Sequence, residues 1–340
     1  MRSHEYQLRT RDWAAVFAPT LLVALLILVA VRALHTTHHL PAPPPALDPE
    51  TTLFHHQARA ARQRDPATIV LVGDSTALMG VDARQLSDEL PGQPSALNLS
   101  LIVGLDLPTY GGILHTFATT HPGQVHCAVL LVGPQKAALG GHSTDEIEAW
   151  REIDAAAAAG RDARAGGADW LGRAWLRDNL LAHLLNTPLR LNGAENFGFA
   201  SELDRHLTEH RGSLVDFGTF ALPRQRQRLP FTLAPGLEPE SREFRALVPP
   251  GVRLCVGLTP GARSAGAPGD RERRDAVLRA WGEWLRAERL LTNLPATVPD
   301  AEFGASGHLN SRGRAHLTHE LARELAPFGP SVGAASPPTP

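Results

Sequence analysis

The sequence predicts a three-layer α/β sandwich on a parallel sheet of about five strands, and three observations carry that expectation. Residues 68–72, 127–132 and 253–258 are largely apolar runs with little polar alternation, the pattern of strands covered on both faces. These runs alternate with helix-length segments, which implies parallel strands joined by right-handed crossovers. The chain has 340 residues, 43% of them hydrophobic, enough for one large packed core.

The first strand, 68–72, ends in Gly73-Asp74-Ser75, and residues 78–90 can follow as a helix. Residues 96–101 form the second strand, leading to Gly104, and 108–119 the next helix. The third strand, 127–132, ends at Gly133-Pro134-Gln135-Lys136. Between 137 and 250 the alternation stops and a helical insertion is expected, with helices at 144–159, 167–185 and 201–208. Trp150, Trp170 and Trp175 then pack the insertion on the core, or the insertion caps a substrate site. A fourth strand at 253–260, an amphipathic helix at 271–291, a fifth strand at 292–298 and a last helix at 316–325 complete the domain, 67–328. Residues 329–340 are a low-complexity tail, expected to be disordered.

Ahead of this domain, residues 13–31 carry no charge and approach the roughly 20 residues that a membrane-spanning helix needs. Arg2, Arg9 and Arg11 precede the run and Arg32 follows it, so the positive-inside rule places residues 1–12 in the cytoplasm and the domain outside. A cleaved signal peptide is the competing reading, with Val31-Arg32-Ala33 as a loose cleavage site. Residues 32–66, rich in Pro and His, read as an extended linker. His35, His38, His39, His55 and His56 lack the cysteine or carboxylate spacing of a metal site, so no metal is expected there. A net charge of −2 gives no basic face for nucleic acid.

The chemistry-bearing residues are Ser75 and His308. Ser75 stands where a central parallel strand hands over to a helix, the position at which open α/β sheets place their ligands. It either caps that helix or acts as a nucleophile beside free N–H groups. Far downstream, Gly307-His308-Leu309-Asn310 precedes the last helix and supplies an imidazole that can accept the serine proton and return it. Together the two blocks resemble the SGNH/GDSL hydrolase family, over roughly residues 68–325.

That resemblance implies a flavodoxin-like sandwich of the SGNH hydrolase type and acyl transfer through Ser75, with no cofactor or metal. The family usually places an Asp three positions before its His, and here that position is Ala305. Asp300, with Glu302 as the alternative, is then the expected acid, or a Ser-His dyad operates without one. The implied oxyanion donors are the Ser75 N–H, Gly104, with Asn98 and Ser100 as alternatives beside it, and Gln135 in place of the usual Asn. The anchor-plus-linker layout resembles proteins of bacterial polysaccharide O-acetylation. It makes an esterase or O-acyltransferase on an envelope glycan the expected activity, with a membrane acyl-donor protein as a partner. A catalytically weak or inactive glycan-binding or assembly protein is the alternative.

Other motifs fail. Gly261 to Gly266 has the glycine spacing of a phosphate loop, but Ala267-Pro268 stands where Lys-Ser/Thr is required. Ala77 replaces the last glycine of a Gly-x-Ser-x-Gly elbow. Cys127 and Cys255 sit inside apolar strands and read as small buried hydrophobes.

Overall fold

In a computed structural model the described residues are 17–23, 25–26, 29–30, 49–63, 66–160, 200–215, 228–305 and 307–328. In chain order the main elements are α1 (Pro49–Ala60), β1 (Ile69–Gly73), α2 (Ser75–Gly80), α3 (Ala83–Glu89), β2 (Ala96–Asn98), α4 (Leu107–Thr120) and β3 (Cys127–Val132). Then come α5 (Pro134–Leu139), α6 (Thr144–Ala158), α7 (Ala200–Glu209), α8 (Leu237–Leu247), β4 (Arg253–Leu258), β5 (Gly261–Ala262) and α9 (Asp270–Leu285). The chain ends with β6 (Arg289–Leu290), β7 (Thr297–Val298), β8 (Phe303–Ala305), β9 (His308–Leu309) and α10 (Ser311–Leu325).

The central sheet has five parallel strands in the order β2-β1-β3-β4-β6. Its buried residues divide by parity. Val70 and Val72 enter one apolar cluster with Leu130, Val132, Leu254 and Val256. Ile69 and Leu71 enter the other with Cys127, Val129, Leu131 and Cys255. This period-two division covers a pleated sheet with helices on both faces. The first cluster is closed by Phe54 of α1, Phe117 of α4, Trp150 of α6, Phe244 of α8 and Trp281 of α9. The second is closed by Ala77 of α2, Leu86 of α3 and Leu317 and Leu321 of α10. Strand order reverses beside β1, so the carboxyl ends of β1 and β3 border the crevice where doubly wound sheets bind ligands.

Several expectations need correction. The linker does not reach residue 66, because α1 is a helix whose Leu53, Phe54 and Ala58 are buried. His56 is buried within it. The single helix expected at 78–90 is two, separated at Val81-Asp82, where the Asp82 carboxylate caps α3. The helix expected to reach 291 stops at Leu285, since Arg286 takes a left-handed conformation and Ala287 N–H closes on Gly282 O. That frees Arg289 and Leu290 to join β4 as the fifth strand. Residues 292–298 supply instead β7, which pairs with β5 in a separate two-stranded sheet.

In the insertion, Trp150 meets Phe54 edge-on with ring centroids 5.5 Å apart, tying α6 to α1. The helix expected at 167–185, with Trp170 and Trp175, lies outside the described residues, as do the tail 329–340 and the linker histidines His35, His38 and His39. Of the span expected at 13–31, residues 17–23, 25–26 and 29–30 are described and helical. No helix among the described residues is long and apolar enough to cross a membrane. The chain divides into two units, and the site below belongs wholly to the unit comprising 46–161 and 188–340.

Candidate active site

The end of β1 is built for close approach. A Cβ on Gly73 would lie 1.8 Å from Leu131 O, so only glycine lets β1 stay in register with β3 at the turn into α2. Asp74 follows, 1% exposed, and caps α2. Its Oδ1 accepts from Thr76 N at 2.9 Å and Thr76 Oγ1 at 2.5 Å, and its Oδ2 accepts from Gly133 N at 2.9 Å. Thr259, beyond β4, donates its hydroxyl to Thr76 Oγ1 at 2.9 Å. One carboxylate and two hydroxyls thus fasten the carboxyl ends of β1, β3 and β4 together around the first turn of α2. Ser75 is the first residue of that helix and is partly exposed.

His308 arrives from the far end of the chain on β9, which pairs antiparallel with β8. Asn310 anchors the hairpin. Its Oδ1 caps α10 by accepting from Arg312 N and Gly313 N, both at 3.1 Å, while its Nδ2 donates to Ala301 O at 2.8 Å. The His308 Nε2 then lies 3.0 Å from Ser75 Oγ, across 233 residues of sequence. In the tautomer protonated on Nδ1, Nε2 accepts the Ser75 hydroxyl proton. Burial pushes the imidazole pKa below its ordinary 6.5, and the negative charge of Asp74 offsets part of that shift. Among the described residues Ser75 is the only hydrogen-bond partner of the ring.

The two acids expected near His308 face elsewhere. Asp300 Oδ1 accepts from Ser264 N at 2.9 Å. Glu302 Oε2 lies 3.0 Å from His316 Nδ1. Ala305 is the register partner of His308 across the hairpin.

Of the oxyanion candidates, neither the Ser75 N–H nor the Gly104 N–H has a hydrogen-bond acceptor among the described residues. Gln135, at the start of α5, has an exposed side chain whose Oε1 lies 3.5 Å from the site of a Cβ on Gly133, itself against Thr76. Asn98 and Ser100 are structural. Asn98 Nδ2 donates to Ala77 O and Ser213 Oγ, both at 3.2 Å, and its Oδ1 accepts from Ser100 N at 3.0 Å.

Sequence reasoning passed over Lys136, although its being the only lysine in the chain was a signal. Lys136 is 2% exposed, and its ammonium donates to Leu105 O at 2.6 Å and Gly141 O at 2.8 Å. Burial pushes its pKa down, opposed by the carboxylates of Glu240, Asp74, Asp106 and Glu146. Cys127 and Cys255 are free, buried thiols with sulfurs 3.4 Å apart in the apolar cluster under the sheet. No group of three or more potential metal ligands is assembled among the described residues. A cavity of about 760 Å³, lined by Arg245, Arg253 and Trp284, lies at the amino end of β4 and so away from Ser75.

Fold and site together define an α/β protein with a paired serine and histidine at the carboxyl edge of its parallel sheet. No family model matches the chain, and no curated protein matches its sequence.

Proposed function

We propose that the chain is a serine esterase or O-acyltransferase of the SGNH type, held to the outer face of a membrane by its N-terminal helix and acting on acyl esters of an envelope glycan. The observation that carries this reading is the 3.0 Å contact between His308 Nε2 and Ser75 Oγ, with the N–H of Ser75 itself free of any acceptor among the described residues. In the first step Ser75 Oγ attacks the ester carbonyl as its proton passes to His308 Nε2. The oxyanion that develops is received by the Ser75 and Gly104 N–H groups, with the Gln135 amide as third donor. Collapse of the adduct returns the proton to the leaving alkoxide and leaves an acyl-serine. Water or a sugar hydroxyl, deprotonated by the same imidazole, then takes the acyl group.

The membrane attachment rests on a second observation. Phe17, Leu21, Leu22, Leu25, Leu26 and Val29, each a described helical residue near the N-terminus, all expose apolar side chains of the kind that seek lipid.

A fluorophosphonate probe on the purified protein tests the mechanism. Labelling of the wild type that disappears in both Ser75→Ala and His308→Ala is the expected result. A folded wild type that takes no label excludes an activated serine and leaves the reading of a non-catalytic glycan-binding protein.

A further inference from the structure

Resting on the Ser75-His308 reading, we infer that Lys136 is a positioning residue that holds the Gly104 N–H in place for the oxyanion. The loop between β2 and α4 carries Gly104 and has little regular structure of its own. Its carbonyls are instead held one by one from outside. Ile102 O accepts from Tyr110 Oη at 2.6 Å, Gly104 O from Ser143 N at 2.7 Å, and Leu105 O from Lys136 Nζ at 2.6 Å. Ile102 O and Gly104 O flank the Val103–Gly104 peptide and are held by Tyr110 and Ser143, while Lys136 holds Leu105 O, the next carbonyl, and so restrains the segment on which the Gly104 N–H is carried. The same ammonium also donates to Gly141 O, which leads into Ser143. Lys136 therefore gathers the Gly104 loop, α5 with Gln135, and the entry to α6 onto one point.

Electrostatics give the charge a second use. Glu146 Oε2 is buried, has no hydrogen-bond partner among the described residues, and packs so tightly on Gly104 that a Cβ there would lie 1.5 Å from it. Asp74 stands next to the nucleophile. Without a cation, an oxyanion forming at Gly104 meets a field of carboxylates. Lys136, buried among Glu240, Asp74, Asp106 and Glu146, offsets them. A buried ammonium is a poor choice for stability, since an apolar residue of similar shape usually serves the fold as well or better.

Turnover of a chromogenic acetyl ester by wild type, Ser75→Ala, Lys136→Met and Lys136→Arg tests the inference, with thermal melts run alongside. Removal of one oxyanion donor typically costs about 100-fold or more in kcat. We expect Lys136→Met to lose that much in kcat with KM changed by less than about threefold and the melt preserved, and Lys136→Arg to recover at least about tenfold. Ser75-dependent turnover that Lys136→Met leaves within about threefold overturns the inference while the Ser-His mechanism stands. A loss in Lys136→Met matched by collapse of the melt, with no recovery in Lys136→Arg, also overturns it and reduces Lys136 to a structural role. Wild-type turnover equal to that of Ser75→Ala removes the underlying mechanism, and the inference with it.

Discussion

On the proposed mechanism, replacing Ala305 by Asp is expected to raise activity, because it puts a carboxylate at the residue paired with His308. Ala305 and His308 are register partners across the β8–β9 hairpin. The ladder is irregular between Phe303 and Ala305, but residues paired across two strands are neighbours, and an Asp side chain is of a length to act on such a neighbour. In the wild type the ring's Nδ1 has no acceptor among the described residues, so the charge of Asp74, on the Ser75 side of the ring, is what favours the imidazolium. Two unit charges about 4 Å apart interact by about 4 kcal/mol at an effective dielectric of 20. His308 and Ser75 are both partly exposed, and solvent screening leaves roughly half of that, ~2 kcal/mol. At about 1.4 kcal/mol per tenfold, the expected gain in kcat is roughly 30-fold. The assay is steady-state hydrolysis of an acetyl ester by Ala305→Asp, with Ala305→Asn as the uncharged control. The acid limb of its pH profile should move upward, since the new charge favours the protonated ring. Equal gains in both variants, or no gain in Ala305→Asp with the fold intact, would refute the reasoning.

Two further outcomes follow from the same site. Burial lowers the His308 pKa, so the base-competent neutral ring persists in mildly acidic solution, and the acid limb of kcat/KM should lie below 6.5. By linkage, the stability associated with this ring is fully present above 6.5 and is lost as the pH falls through the lower folded value. A limb at or above 6.5 contradicts the assignment of His308 as base. Gly73→Ala places a methyl 1.8 Å from Leu131 O and must force β1 from β3, costing about 3 kcal/mol or more. Urea denaturation measures this, and a loss under about 1 kcal/mol contradicts the close packing described for the strand end.

How much was legible depended on whether the determining contacts were local. The five-stranded sheet was readable because each main strand is an apolar run bounded by polar turns, a signal held within a few residues. Its fifth strand was misplaced because the deciding event is a left-handed Arg286, a conformation that non-glycine residues seldom adopt and sequence does not advertise. Helix α1 was missed because its buried face, Leu53, Phe54, Gln57 and Ala58, is masked by His55, His56 and a proline-rich approach. Near the site, proximity in sequence misled. Asp300 and Glu302 are close to His308 along the chain, yet a short 3-10 turn sends one to Ser264 and the other to His316. Lys136 went unread for the opposite reason, since its partners Leu105 and Gly141 are backbone carbonyls that carry no sequence signature.

The arrangement bears on the choice between water and a sugar as acyl acceptor. An imidazole whose pKa burial lowers by more than the charge of Asp74 restores is a weak base toward an acceptor hydroxyl. A weak base discriminates by the acidity of what it deprotonates, and a sugar hydroxyl is more acidic than water. On the proposed mechanism an acyl-serine would therefore resist hydrolysis more than transfer, provided that a glycan hydroxyl is bound over Ser75. On the same mechanism Ala305 would tilt the second step toward an alcohol. Ala305→Asp should then increase hydrolysis by more than it increases transfer when both acceptors compete in one reaction.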